Sequence, residues 1–319
     1  MRWFAFLLLC VAATAPRAED AGHPLTLWRV DGAENSVYLL GSIHLLRAED
    51  HPLPRAIDAA YADAEVLVME LDMDDLDPAR TQAAFNSAGV MSDGTTLREL
   101  MGEEYYRAAE EAAAVIDVPL DMLASSEPWL AAMTVELMML YRMGFDPMLG
   151  VEMTMTNRAT ADGKPIEGLE TVEQQLGFLD GLPLEAQREM LLQTLLQGAE
   201  MTGSVNALID AWRRGDTATL ETELLQGIEE QADLHEALIV DRNRRWAETI
   251  ATWLDDELDY LVVVGALHLV GDDGVPSLLG QAGYGIQPVS YTHLRAHETT
   301  SHIAYAVFCL KKGGGGGGG

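Results

Sequence analysis

The chain has 319 residues, a formal net charge of −31 at pH 7, 48% hydrophobic residues and two cysteines. Such acidity argues against nucleic acid and anionic membrane surfaces as partners, because like charges repel. Both cysteines, Cys10 and Cys309, lie in end segments set aside below. The body therefore offers neither disulfides nor thiolate ligands, and any metal must be held by nitrogen and oxygen.

Residues 1–18 read as a secretory signal peptide: Met1, Arg2 and Trp3 give a short positive start, an apolar stretch covers 4–13, and Thr14 and Ala15 are small. Cleavage is expected after Ala15 or Ala18, which sends the protein to the periplasm or outside the cell. Leu9 before Cys10 is too large for a lipobox. No later apolar stretch is long enough to span a bilayer once the signal is removed.

The body opens with strands expected over 25–30 and 37–41, joined by a hairpin-like turn at Asp31, Gly32, Ala33, Glu34 and Asn35. A helix over 53–64, started by Pro52 and Pro54, leads into an apolar strand at 65–71, which makes a strand-helix-strand unit. Helical periodicity then runs over 75–115, with Asp77 and Pro78 as its start and Gly89, Gly94 and Gly102 as breaks. A helix at 127–143 follows, whose Met133, Met138, Met139 and Met143 read as core packing. Next come a helix at 151–161 carrying Glu152, a turn at Gly163 and Lys164, a strand at 165–169, and a helix started by Glu170. Helices at 184–198, 205–214, 220–228 and 234–254 lead to a strand at 261–264, a helix at 275–282 and a last strand at 284–289. Neither a repeat nor a flexible linker breaks this order. The expected architecture is one α/β domain over 19–289: a mixed, largely parallel sheet from the two chain ends, with a large helical insertion. Its about 270 residues suffice for a substantial core.

The C-terminal stretch SYTHLRAHETTSHIAYAVFCLKK at 290–312, followed by seven glycines, breaks with everything before it. It resembles translated sequencing-adapter read-through. It contains a decoy, His297-Glu298-Thr299-Thr300-Ser301-His302, which is one residue too long for the zincin pattern. Two histidines five apart do not share one helix face.

Two segments of the body carry the chemistry. VYLLGSIH at 37–44 and LVVVGALH at 261–268 repeat one design: an apolar strand, a glycine, two residues, then histidine. Each histidine falls just past a strand's carboxyl end, where ligand crevices of open α/β sheets lie. Glu70 interrupts the apolar strand EVLVMEL near the same end. Parallel strands would bring His44, Glu70 and His268 to one sheet edge. Imidazole with carboxylate suits a divalent ion of the zinc, manganese or cobalt type, or an acid/base pair without metal. The plainer alternative is that both histidines only fix loops.

Together with these motifs, GVEMTMTNRATADGKPIEGLETVEQQLGFLDGLP at 150–183, the DRN at 241–243 and VVVGALHLVGDDGVPSLLGQAGY at 262–284 occur in family order. With them the chain resembles the TraB/GumN family, itself similar to the Tiki proteins, over nearly all of its body. The resemblance implies an erythromycin-esterase/ChaN-like domain. Animal Tiki members are metal-dependent proteases that trim secreted proteins, TraB and PrgY relatives shut down peptide pheromones, and GumN sits with exopolysaccharide genes. Carried over, the site residues are His44, His268, Glu70 and Arg242, with Glu152 and Glu170 as further candidates.

On this reading His44, His268 and Glu70 bind a divalent ion (manganese, cobalt or zinc), and Glu70 or Glu170 supplies the base. Arg242, with Glu152, contacts a peptide or protein substrate or stabilises the oxyanion. For Arg242 the competing reading is a salt bridge to neighbouring acids. For the whole protein the competing readings are a peptide- or haem-sequestering protein without turnover, and an accessory factor in exopolysaccharide production.

Overall fold

The computed structural model describes residues 26–225 and 232–289. The expected signal peptide, the tail with its decoy and residues 226–228 of one expected helix lie outside the described residues. In chain order the strands are β1 (Leu27–Asp31), β2 (Ser36–Ser42), β3 (Val66–Leu71), β4 (Ile166–Glu170), β5 (Tyr260–Gly265) and β6 (Ile286–Pro288). The helices are α1 (Arg55–Asp63), α2 (Pro78–Gly89), α3 (Leu97–Val115), α4 (Pro128–Arg142), α5 (Val151–Asp162) and α6 (Val172–Asp180). They continue with α7 (Leu184–Gln197), α8 (Met201–Arg214), α9 (Thr217–Leu225), α10 (Ala232–His235), α11 (Asp241–Trp253) and α12 (Val275–Gln281).

The strands form one six-stranded sheet in the order β4-β3-β5-β2-β1-β6. β4, β3, β5 and β2 run parallel, whereas β1 is antiparallel to both β2 and β6. This is the mixed sheet from both chain ends that the sequence suggests, with helices filling the middle. The parallel strands are apolar on both faces because both are covered. On one face Tyr38, Leu40, Leu67, Met69, Leu261 and Val263 meet α1, α5 and α8; on the other Leu39, Val68, Val262 and Val264 meet α11 and α12. A third apolar cluster, around Leu97, Tyr106, Val135, Met139, Leu191 and Leu195, gives α3, α4 and α7 a core of their own.

The methionines of α4 behave as expected in part: Met139 is buried and Met138 packs against that helical core. Two expectations need correction. Glu170 does not open a helix but ends β4; Thr171 caps α6, accepting from the Gln174 backbone while the Gln174 side chain accepts from Thr171 N. A capping box with a neutral Thr and Gln outcompetes a charge at the first turn. The expected helix at 234–254 is helical as far as Trp253, but Glu236–Val240 is wound as a π-helix between α10 and α11.

A charged site at the carboxyl edge of the parallel strands

Because β2, β3 and β5 are parallel, their carboxyl ends share one edge, and His44, Glu70 and His268 meet there. Their convergence centres on Gly265, the last residue of β5. A methyl group on Gly265 would lie 3.4 Å from Glu70 Oε1, 3.4 Å from His44 Nε2 and 3.6 Å from the His268 ring. Glycine leaves that space open. Glu70 Oε1 accepts a hydrogen bond from Gly265 N at 2.8 Å, which fixes the carboxylate against the strand end.

Each histidine is oriented from behind. His268 is 4% exposed, and its Nδ1 sits 2.7 Å from Asn243 Oδ1. Asn243 Nδ2 donates to Asp273 O at 2.8 Å, so its oxygen faces the ring; Nδ1 of His268 then carries the proton and Nε2 the lone pair. Trp246 packs beside the ring with centroids 4.5 Å apart. Burial, assisted by Arg242, pushes the His268 pKa down to about 3 against the opposing pull of Glu70, so the ring is neutral in the physiological range.

His44 is held differently. Its Nδ1 lies 2.8 Å from Glu152 Oε1, and the same oxygen accepts from Ser42 Oγ. Glu152 raises the His44 pKa, although the imidazole is 59% exposed and solvent screens part of that attraction. Glu152 reaches this place because the start of α5 docks on the loop after β2: Val151 N donates to Ile43 O at 3.1 Å. Gly150 permits the docking, since a Cβ there would run into the His44 carbonyl. Gly150→Ala is therefore expected to cost about 2 kcal/mol of stability and to push His44 off Glu152. Urea unfolding measures this, and an unchanged midpoint would count against it.

Arg242 faces the cluster from α11. Its Nε donates to both oxygens of Glu170 at 3.0 and 3.1 Å, and Nη2 donates to Glu170 Oε2 at 2.8 Å and Glu70 Oε2 at 2.7 Å. Nη1 points at His268 Nε2 from 3.2 Å and also donates to Leu238 O at 3.3 Å, in the π-helical turn. Gln175 Nε2 bridges Glu70 Oε2 and Glu170 Oε2 at 3.1 and 3.3 Å. Burial opposes ionisation of Glu70, but His268, His44, Arg242 and the Gly265 N–H together hold its pKa at about 2. With His268 neutral, the last three maintain the charge near neutral pH.

Arg242 thus lies in the salt bridge that was the competing reading of it. Glu170 lies beneath it with its side chain 3% exposed, away from the open space at Gly265. Glu152 serves His44, and its Oε2 is buried without a hydrogen-bond partner. Asn243 and Ser42 were not singled out in the sequence. Asn243 sits inside the DRN segment at zero exposure, and its place in that motif beside Arg242 is the signal that could have exposed it.

A divalent ion would need several nitrogen or oxygen donors directed at one point. The donors are of the right kind, all nitrogen and oxygen, and His44 Nε2 and Glu70 Oε1 both lie 3.4 Å from the Cβ position of Gly265. The spacing is interrupted: His268 Nε2 stands 4.0 Å from Glu70 Oε1 and has Arg242 Nη1 in front of it. Among the described residues no three His, Cys, Asp or Glu side chains are gathered as an ion would need. As placed, Arg242 occupies His268 Nε2 and Glu70 Oε2.

A sequence profile of the TraB/PrgY/gumN family matches residues 26–288, the whole of the described domain. The chain belongs to the TraB/PrgY/gumN family. It is 22% identical over 242 residues to the uncharacterized protein YbaP of Escherichia coli K12, covering 76% of this chain and 87% of that one. The Shigella flexneri protein of the same name matches to the same extent. No solved structure matches this chain. Within the family frame both Gly-x-x-His motifs, the strand-borne glutamate and the arginine fall in one cluster.

Proposed function

We propose that this exported TraB/PrgY/gumN member is a metal-dependent hydrolase that cleaves peptide bonds in a peptide or secreted protein. The observation that carries the reading is the convergence of His44 Nε2, Glu70 Oε1 and the His268 ring on the space beside Gly265. His44, His268 and Glu70 are the residues that would hold manganese, cobalt or zinc. Such an ion supplies an activated water and polarises the scissile carbonyl.

The protein's own groups do the rest. Glu152 and Asn243 fix the two imidazoles through Nδ1; His44 Nε2 faces the space beside Gly265, while His268 Nε2 meets Arg242 Nη1 at 3.2 Å. Glu70 Oε1, beside that space, is the carboxylate oxygen that would accept the proton of an attacking water. Arg242 is occupied by Glu70 and Glu170, so the group that would meet a substrate carboxylate is the half-exposed Arg245, whose one ion pair among the described residues is a long one, 3.7 Å to Glu170 Oε1. Arg245 also lines an open cavity of about 370 Å³, together with Phe178, Leu182, Pro183, Glu236 and Asp241. Arg242 and Arg245 both face the Phe178 ring, at 5.5 and 5.3 Å. The charged surroundings of His268, with Arg242 at 3.2 Å and Glu70 at 4.0 Å, favour hydrolysis over haem sequestration, which needs an apolar pocket around its ligating histidine.

The test is a cleavage assay of the purified chain on a peptide library, with metal analysis of protein prepared without chelator. Activity is expected to fall at least about a hundredfold with EDTA and to return with manganese, cobalt or zinc. Full activity in chelator would overturn the metal, and absence of cleavage across the library in metal-replete protein would overturn the peptidase.

A further inference from the structure

The open cavity of about 370 Å³ beside Arg245 has two unlike walls. One, from the end of α6 and the link to α7, offers Phe178, Leu182 and Pro183. The other is a continuous helical stretch through α10, the π-helical turn and α11, along which Asp233, Glu236, Asp241 and Arg245 follow one another. Carboxylates therefore fill one end of that wall and a guanidinium the other. Asp241 and Arg245 stand one turn apart, about 6 Å of helix rise. Arg244 pairs with Glu236 at 3.2 Å and with Asp241 at 3.8 Å, so three carboxylates stand against two guanidinium groups.

A ligand that fits must carry a carboxylate at one end, a cation about one turn away, and an apolar stem between them to lie on Leu182 and Pro183. A lysine or arginine with a free α-carboxylate has this form, since its methylene chain buries along apolar surface while the charged head reaches past it. We propose that this cavity is a subsite for a basic C-terminal residue of a peptide: Arg245 takes the α-carboxylate, and the end formed by Asp233, Glu236 and Asp241 takes the side-chain cation. The Arg245 guanidinium suits the role, because its planar fork matches a carboxylate and its ion pair to Glu170 is long at 3.7 Å. The Phe178 ring, 5.3 Å from its Cζ, steadies it at the cavity. The size agrees, as pockets for small ligands begin at about 300 Å³. The subsite rests on the peptide reading above for its ligand and requires neither metal nor cleavage.

The experiment is a calorimetric titration of the purified full-length chain, in EDTA, with three tripeptides: acetyl-Ala-Ala-Lys with a free carboxylate, the same peptide as its C-terminal amide, and acetyl-Ala-Ala-norleucine with a free carboxylate. The free-acid lysine peptide is expected to bind at least about tenfold more tightly than either of the others, since each lacks one charged contact. The amide is the decisive comparison. A chain of net charge −31 attracts the cationic amide more than the neutral zwitterion, so general acidity predicts the opposite order. Arg245→Gln should erase the preference for the free acid, and Glu236→Gln with Asp241→Asn the preference for lysine over norleucine. All three side chains are half-exposed, so these variants should fold. Glu103→Gln, which removes an exposed charge from α3, should change nothing. The amide comparison in the parent stands even if a variant does not fold.

Tighter binding of the free-acid lysine peptide, with each preference lost in its variant, supports the subsite. Equal or tighter binding of the amide overturns it, as does equal binding of the norleucine peptide or a preference that survives in its variant. Absence of binding by all three peptides overturns it too, and leaves cleavage beside Gly265 to its own assay. A chain that shows the preferences and never cleaves keeps the subsite and loses the hydrolase.

Discussion

Gly265→Ala is expected to keep the fold and abolish the activity. The backbone there, at φ −50° and ψ 136°, suits any residue, so alanine adds no strain. The new methyl would sit in ordinary contact, 3.4 Å from Glu70 Oε1 and His44 Nε2, so stability should change by less than about 1 kcal/mol. The same methyl fills the space where the three groups meet. Turnover should drop at least about a hundredfold, since small displacements of reacting groups cost that much. Ion binding, read by titration, should be lost with it. A Gly265→Ala protein that cleaves and binds like the parent would remove the convergence at Gly265 as the basis of function.

The largest effect on stability is expected at Glu170. Its side chain is 3% exposed and accepts from Arg242 Nε and Nη2, from Gln175 and from Trp246 Nε1 at 3.2 Å. Glu170→Ala strands the Arg242 guanidinium, itself 8% exposed, with Glu70 as its one remaining carboxylate. Removing one partner of a buried ion pair costs about 3–5 kcal/mol. Glu170→Gln keeps acceptors for some of these donors and should cost about half as much. Urea unfolding monitored by circular dichroism separates the two variants. A loss below about 1 kcal/mol for Glu170→Ala would show that the clasp is not structural.

The residues that sequence reasoning located share one property: their signal is local. Gly41 and Gly265 close unbroken apolar strands, and Glu70 is a charge in a strand otherwise buried, so period and punctuation expose them. Glu170 lies in IEGLE, a short strand half polar, which local pattern cannot separate from a helix start. The Thr171 and Gln174 spacing was the available clue to the true boundary. The pairing of His44 with Glu152 spans 108 positions and depends on how α5 docks through Gly150, which is a tertiary fact. The Arg242 clasp likewise required distances: the sequence offered substrate contact and salt bridge equally, and the placement of Glu170 one strand away from Glu70 decided the geometry. The π-helical turn before Arg242 has no signature in an otherwise continuous amphipathic run.

The central pair of the sheet, β2 and β5, joins chain segments far apart: Ser36 N donates to Asp259 Oδ1 at 2.7 Å across 223 positions. The entropy of closing so long a loop must be overcome before the pairing yields anything, and distant parallel pairings form slowly. α3, α4 and α7, by contrast, already share a core within the intervening stretch. As the chain emerges from its amino terminus, β2 has only β1 beside it, and its other edge and His44 must wait for almost the entire remainder. His44 and His268 become neighbours only when β5 arrives, so a chain cut short before residue 260 holds half a site and has no chemistry to misdirect.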